Sequence, residues 1–145
     1  MEITGASILD LRELSKLTRA CFPKHGWILS EGLGLLLSPA IVRLKAAEEG
    51  RMAGFIAGRK PRADGVAWIL MVGVLPEFRR RGLARQLLWA CEGRLVAPRI
   101  RLFVGASNEA AIRLYAEEGY ARVGLRAGSH RGAEPAVIME RTRAS

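Results

Sequence analysis

The sequence predicts an α/β fold of the α+β kind, a mixed and largely antiparallel central sheet flanked by helices, on three observations. Val42, Leu44 and Ala46 alternate with Arg43 and Lys45, Glu49-Gly50 supplies a turn, and Met52 to Gly58 returns, which is the pattern of a β-hairpin. Val66 to Val74 is a nearly continuous apolar run of strand length, as a strand buried on both faces shows, and it belongs at the centre of the sheet. From Leu83 the apolar period lengthens to that of a helix, with Leu83, Ala84, Leu87, Leu88 and Cys91 on one face.

The remaining elements fall around these. Ile3 ends a short first strand. Ser7 with Asp10 reads as a helix cap of the Ser-x-x-acid type, and Ile8, Leu11, Leu14 and Leu17 share a face. That helix runs to Ala20, and Pro23 stops its continuation. A short apolar helix is expected near Ser30 to Leu37, and Lys60 to Gly65 form a loop. Pro98 breaks the helix that starts at Leu83, after which Ile100, Leu102 and Val104 alternate as a strand. A third main helix spans Asn108 to Glu118, with Gly119 suited to the left-handed residue past its end. Tyr120 to Arg126 and Ala136 to Glu140 complete the sheet. No repeat or linker stands out, so residues 1–145 are expected to form one domain.

Composition narrows the function. Apolar residues make up 50% and charged residues 26%, which is ordinary globular usage. The most apolar segment, Leu33 to Val42, is broken by Gly34, Ser38 and Pro39, whereas a membrane span needs about 20 apolar residues. With no signal-type start, the expectation is a soluble, cytoplasmic protein. Cys21 and Cys91 are too few for a disulfide scaffold and lack metal-ligand spacing, so no metal is expected. The net charge of +9 invites a nucleic-acid partner. Its 19 Arg and 4 Lys are spread along the chain, however, with one dense run at Arg79-Arg80-Arg81 and no aromatics interleaved. A local anion site explains the charge more economically.

That site is the segment Val72-Gly73-Val74-Leu75-Pro76-Glu77-Phe78-Arg79-Arg80-Arg81-Gly82-Leu83-Ala84, a buried strand, a tight connection and a helix start. The first amides of a helix have no internal partner and carry the positive end of its dipole, so a glycine-bearing N-terminus at a strand end cradles anions. A diphosphate is the natural guest. Gly82 and Ala84 let the backbone come close, and Arg80, Arg81 and Arg85 add positive charge. The segment is neither a Walker loop nor a dinucleotide fingerprint, because the required Gly-Lys-Ser/Thr and Gly-x-Gly-x-x-Gly are missing.

On these residues the chain resembles the GCN5-related N-acetyltransferases (GNAT). Their Arg/Gln-x-x-Gly-x-Gly/Ala signature matches Arg79 to Ala84, and a second block matches from Ala106-Ser107-Asn108 through Tyr115 to Gly119-Tyr120. Cys21-Phe22-Pro23 and the Ala-Ser-Asn-x-x-Ala-Ile-x-Leu-Tyr block are most similar to the RimI-type enzymes, which acetylate protein N-termini, including that of a ribosomal protein. The resemblance implies a sheet splayed after the Val66 to Val74 strand, with Gly73 suited to a bulge there and acetyl-CoA entering the cleft. It implies that the backbone of Val72, Gly73 and Val74 pairs with the pantetheine amides. Arg80, Arg81, Gly82, Leu83, Ala84 and Arg85 then hold the pyrophosphate, Asn108 contacts the cofactor, and Tyr115, one or two helical turns from Asn108, is the general acid.

The match fails at the general base. RimI-type enzymes carry a glutamate immediately before the Val-x-Ala-Ser-Asn segment, where this chain has Phe103, and Arg126-Ala127-Gly128-Ser129-His130 replaces their Asn-Tyr-Tyr cluster. His25 and His130 titrate in a useful range but fall in expected loops. Trp27, Trp68 and Trp89 are candidates for an acceptor pocket, with core packing the alternative for each. An α-amine near pKa 8 is about a tenth neutral at pH 7, whereas a lysine amine near 10.4 is neutral in only about a few per ten thousand. Without a base, weakly basic amines are favoured. The expected function is therefore direct acetyl transfer to a protein N-terminus or small amine, by a monomer or homodimer without membrane attachment. Alternatives are an acyl-CoA-binding sensor without turnover and, further off, a basic nucleic-acid or ribosome-binding protein.

Overall fold

The computed structural model of the chain describes residues 1–22, 34–128 and 134–142; Pro23, His25, Trp27, Ser30 and His130 lie outside them. The strands are β1 (Ile3–Gly5), β2 (Ile41–Glu48), β3 (Arg51–Arg59), β4 (Val66–Val74), β5 (Arg99–Gly105), β6 (Ala121–Arg126) and β7 (Ala136–Thr142). They follow the order β1-β2-β3-β4-β5-β7-β6. The main helices are α1 (Leu11–Cys21), α2 (Leu83–Leu95) and α3 (Glu109–Glu117). Two compact units result, Met1–Lys60 with Leu70–Val96, and Pro61–Ile69 with Ala97–Ser145. Among the described residues no helix is long and apolar enough to cross a membrane.

In the first unit β1 and β3 both pair antiparallel with β2. Glu49 and Gly50 form the two-residue hairpin turn with φ of 50° and 78°, the left-handed pair whose twist matches that of the strands. β1 starts at Ile3 rather than ending there. The Ser7–Asp10 capping box forms as expected but caps a single 3-10 turn, Ile8–Asp10, ahead of α1. Leu14 and Leu17 are fully buried, while Ile8 is exposed. Residues 34–37 are the described part of the short helix expected to end at Leu37.

The strand buried along both faces is β3, not β4: Met52 to Gly58 are all buried, and α1 and α2 both pack on β3. Small residues make this possible. A Cβ on Gly54 would lie 2.8 Å from Leu87 Cδ1, and one on Gly58 would lie 2.8 Å from Cys91 Sγ. β4, despite its apolar run, leaves Leu70 48% exposed and Val72 half-buried. Gly73 serves the approach of α1, since a Cβ there would meet Leu17 Cδ2 at 3.0 Å and Cys21 Sγ at 3.3 Å. α2 ends before Pro98 can act, at Val96, whose φ of 45° turns the chain left-handed.

In the second unit β4 and β5 pair in parallel from Val66↔Arg99 to Ile69↔Leu102. Antiparallel β7 flanks β5, and β6 flanks β7. Because side chains alternate along a strand, Ile100, Leu102, Val104, Val137 and Met139 fill the buried face, and Arg99, Arg101 and Phe103 take the other. α3 ends as Gly119 suggests: the Tyr120 amide donates to the Tyr115 carbonyl at 2.9 Å and the Gly119 amide to Ala116 at 3.1 Å. With Gly119 at φ 93° this is a Schellman motif.

Candidate active site

β4 runs out at Val74 into a 3-10 turn, Pro76–Phe78, and the chain then passes through Arg80 at φ 65° to Gly82 at φ 75°, the N-cap of α2. A left-handed conformation costs an L-residue about 1–2 kcal/mol, which Arg80 bears and Gly82 does not. Among the described residues, and apart from its chain neighbours, no atom lies within 4 Å of where a Gly82 Cβ would be, so the backbone angle and not internal crowding selects glycine. Gly82 also offers no side-chain acceptor to the amides of Leu83, Ala84 and Arg85, which suits them to an external anion. Arg80 and Arg81 are exposed, and the Arg81 guanidinium lies 5.3 Å from the centroid of the Phe78 ring. A glycine-capped helix start with arginines at 80, 81 and 85 has the chemistry to take an anionic group.

Arg79 has a different task, which sequence reasoning missed although it is the first residue of the signature. Its Nε donates to the Val74 carbonyl at 3.0 Å, and the Cys21 thiol donates to the same oxygen at 3.4 Å. The clasp ties the end of β4 to the connection and to α1, and it engages the Val74 carbonyl within the chain. Burial pushes the Cys21 thiol up, with Arg79 opposing that shift.

The second unit carries the other sequence-predicted groups. Asn108 is the N-cap of α3, and its Oδ1 accepts from the Ala111 amide at 3.2 Å. Tyr115 sits in the last turn of α3, so the two lie at opposite ends of the helix, about 10 Å apart along its axis. The Tyr115 ring meets Tyr120 edge-on at 5.9 Å, the apolar contact that accompanies a Schellman end. Burial pushes its phenol up to about 12. Tyr115 is therefore a hydrogen-bond donor at every physiological pH. Against an alkyl thiol near 8.5, full proton transfer from it is uphill.

Phe103 is 42% exposed. It stacks on Trp68 at 4.8 Å, and the Arg126 guanidinium lies 5.1 Å from its ring centroid. Trp68 is half-buried and Trp89 exposed, so neither is a plain core residue. Beyond Phe103 stands a group that no sequence motif marked. Glu134 Oε2 accepts from the Ser107 amide at 3.2 Å and from the Ser107 hydroxyl at 2.5 Å, joining the residues that lead into β7 to the turn before α3.

A strand feeding a glycine-capped helix start on a mixed sheet of this order defines the chain as an α/β protein whose helix N-terminus is suited to an anion. The chain belongs to the acetyltransferase (GNAT) family, whose model matches residues 11–120. It is 32% identical over 114 residues to N-alpha-acetyltransferase 20 of Dictyostelium discoideum, covering 71% of this chain and 63% of that protein. It is 36% identical over 83 residues to an acetyltransferase of Pectobacterium atrosepticum, covering 55% of this chain and 57% of that one. The chain thus spans less than two thirds of the length of these relatives. The ribosomal-protein-S18-alanine N-acetyltransferase from Escherichia coli shares the fold with a TM-score of 0.87 and 24% identity, over 99% of this chain and 96% of that one.

Proposed function

We propose that this chain is an acetyl-CoA-dependent N-acetyltransferase of RimI type, a single cytoplasmic domain that passes acetyl directly to a protein N-terminal α-amine or a small amine. The observation that carries the reading is the left-handed Gly82 cap of α2, next to Arg80, Arg81 and Arg85. Support for one domain comes from β4, which runs through both compact units. Two free thiols, Cys21 and Cys91, agree with a reducing compartment.

When bound, acetyl-CoA supplies an acetyl group activated as a thioester. Arg80 to Arg85 hold its pyrophosphate, and the backbone of Val72 to Val74 serves the pantetheine arm, with the Val74 carbonyl already engaged by Arg79 and Cys21. Asn108 has its Oδ1 occupied by the helix cap, which leaves its amide nitrogen for the cofactor. Tyr115 hydrogen-bonds the departing sulfur, where a neutral donor stabilises developing negative charge.

The test is thermal shift followed by turnover. Acetyl-CoA at about 100 times its dissociation constant adds about 2.7 kcal/mol to the folded state, so a clear rise in melting temperature is expected. Free-thiol release should then be faster with unblocked peptides than with N-terminally blocked, lysine-bearing ones at pH 7. No melting shift at millimolar acetyl-CoA would refute the reading.

A further inference from the structure

We infer that Glu134 is the proton acceptor of the transfer, its Oε1 supplying from the segment that leads into β7 the carboxylate that β5 lacks at Phe103. The inference rests on the acetyltransferase reading above and adds a residue to it.

Three observations converge. The carboxylate is anchored at one oxygen and open at the other: Oε2 takes both Ser107 donors, and Oε1 has no hydrogen-bond partner among the described residues. Room has been made for it. A Cβ on Gly105 would collide with Oε1 and lie 3.1 Å from the carboxyl carbon, so the carboxylate rests where a side chain at position 105 would point. Finally, Gly105 and Phe103 are two apart on β5 and share a face, about 7 Å from one another. The open oxygen therefore stands one side-chain position along from the Phe103 ring, on the same face. Backbone bonds hold it there, with Gly105 paired to Ala136 and the Ala106 amide donating to the Pro135 carbonyl at 3.0 Å.

Among the described residues, three arginines of this face are otherwise engaged. Arg99 and Arg101 both bond Glu140, at 3.0 and 2.7 Å, and Arg126 lies over Phe103. In the transfer, the lone pair of the acceptor nitrogen forms the new C–N bond and the C–S bond breaks, its electron pair leaving on sulfur. The proton shed by nitrogen passes to Glu134 Oε1. Glu134 then returns that proton to solvent, and the thiolate, hydrogen-bonded by Tyr115, is protonated from solvent.

The experiment compares Glu134→Gln with the unaltered chain, using an unblocked peptide as acceptor. The glutamine keeps an oxygen for Ser107, so melting temperature and the acetyl-CoA shift should stay, while kcat/KM falls about 100-fold. That deficit should shrink as pH rises or as the amine pKa of the acceptor falls, which a purely structural role would not produce. Independently of turnover, the carboxyl-carbon NMR resonance of Glu134 in the CoA-loaded chain should move when the acceptor amine is added. An active parent with an equally active Glu134→Gln overturns the role of Glu134 alone, and an unmoved resonance does the same even if the variant melts early. A parent that binds acetyl-CoA yet acetylates no amine overturns the acetyltransferase reading and, with it, this one.

Discussion

The two compact units arrange their functional groups by different means. In the first, the proposed anion cradle is a matter of backbone: Arg80 and Gly82 turn left-handed and the first amides of α2 follow. In the second, side chains are held by other side chains, as Ser107 holds Glu134 and as Trp68 and Arg126 hold Phe103. A backbone device is local and sits within a few consecutive residues. A side-chain device joins residues that the fold brings together from distant parts of the sequence.

The largest effect should come from Tyr115, where structure and chemistry meet. Tyr115→Ala removes the ring that closes the end of α3 and should cost about 3–5 kcal/mol, seen as early melting in denaturant. Tyr115→Phe keeps the ring contact with Tyr120 and should melt like the parent while losing rate. An unchanged rate in Tyr115→Phe would reduce Tyr115 to the helix closure alone.

Next comes the backbone device. Gly82→Val places a β-branched residue at φ 75°, with a strain of about 1–2 kcal/mol. The chain relieves that strain by moving the first turn of α2, so acetyl-CoA affinity should fall about tenfold or more by calorimetry. Melting temperature should fall by no more than that strain accounts for, so affinity suffers more than stability. A variant that melts early and yet binds acetyl-CoA like the parent would remove the cap from the binding site.

The same division explains what the sequence disclosed. The hairpin, the Ser7–Asp10 cap, the bounds of β4 and the glycine-capped turn were legible because each is written in adjacent residues with one backbone solution. The both-faced burial assigned to β4 belongs to β3, since apolar composition does not tell whether a neighbour covers the strand. Gly54 and Gly58 carried the better signal, as small residues admit helices closely. Pro98 drew attention away from Val96, whose left-handed turn ends α2 although valine does not advertise it. Glu134 was illegible for the same reason that Ser107 and Gly105 looked unremarkable: only the β5–β7 register brings the three together.

A smaller effect separates two ion pairs by burial. Glu140 Oε1 accepts from Arg99 and Arg101, and the Arg101 hydrogen bond leads in holding its carboxyl below the usual range. A folded-state pKa lowered in this way contributes stability above the unfolded value, and that contribution is lost as pH falls through the folded one. Glu140→Gln should therefore cost about 1 kcal/mol near neutrality. Parent and variant should converge in melting temperature as pH drops below about 4.

The smallest effect belongs to Glu77, and it tests whether burial or mere proximity makes an ion pair count. Glu77 lies 2.6 Å from Arg51, closer than either arginine lies to Glu140, and the Arg51 hydrogen bond lowers its carboxyl in the same way. Both partners are more than half exposed, however, at 56% and 54% of their side-chain surface, whereas Glu140 is 14% exposed. Water and salt screen an exposed pair, and ordering two mobile side chains offsets what attraction remains. Glu77→Gln should thus leave the melting temperature unchanged between pH 5 and 8 at physiological salt, although it removes the shorter of the contacts. A measurable drop, larger than that of Glu140→Gln, would show that the pair steadies the 3-10 turn leading into the anion cradle, and would tie the first unit to side-chain anchoring after all.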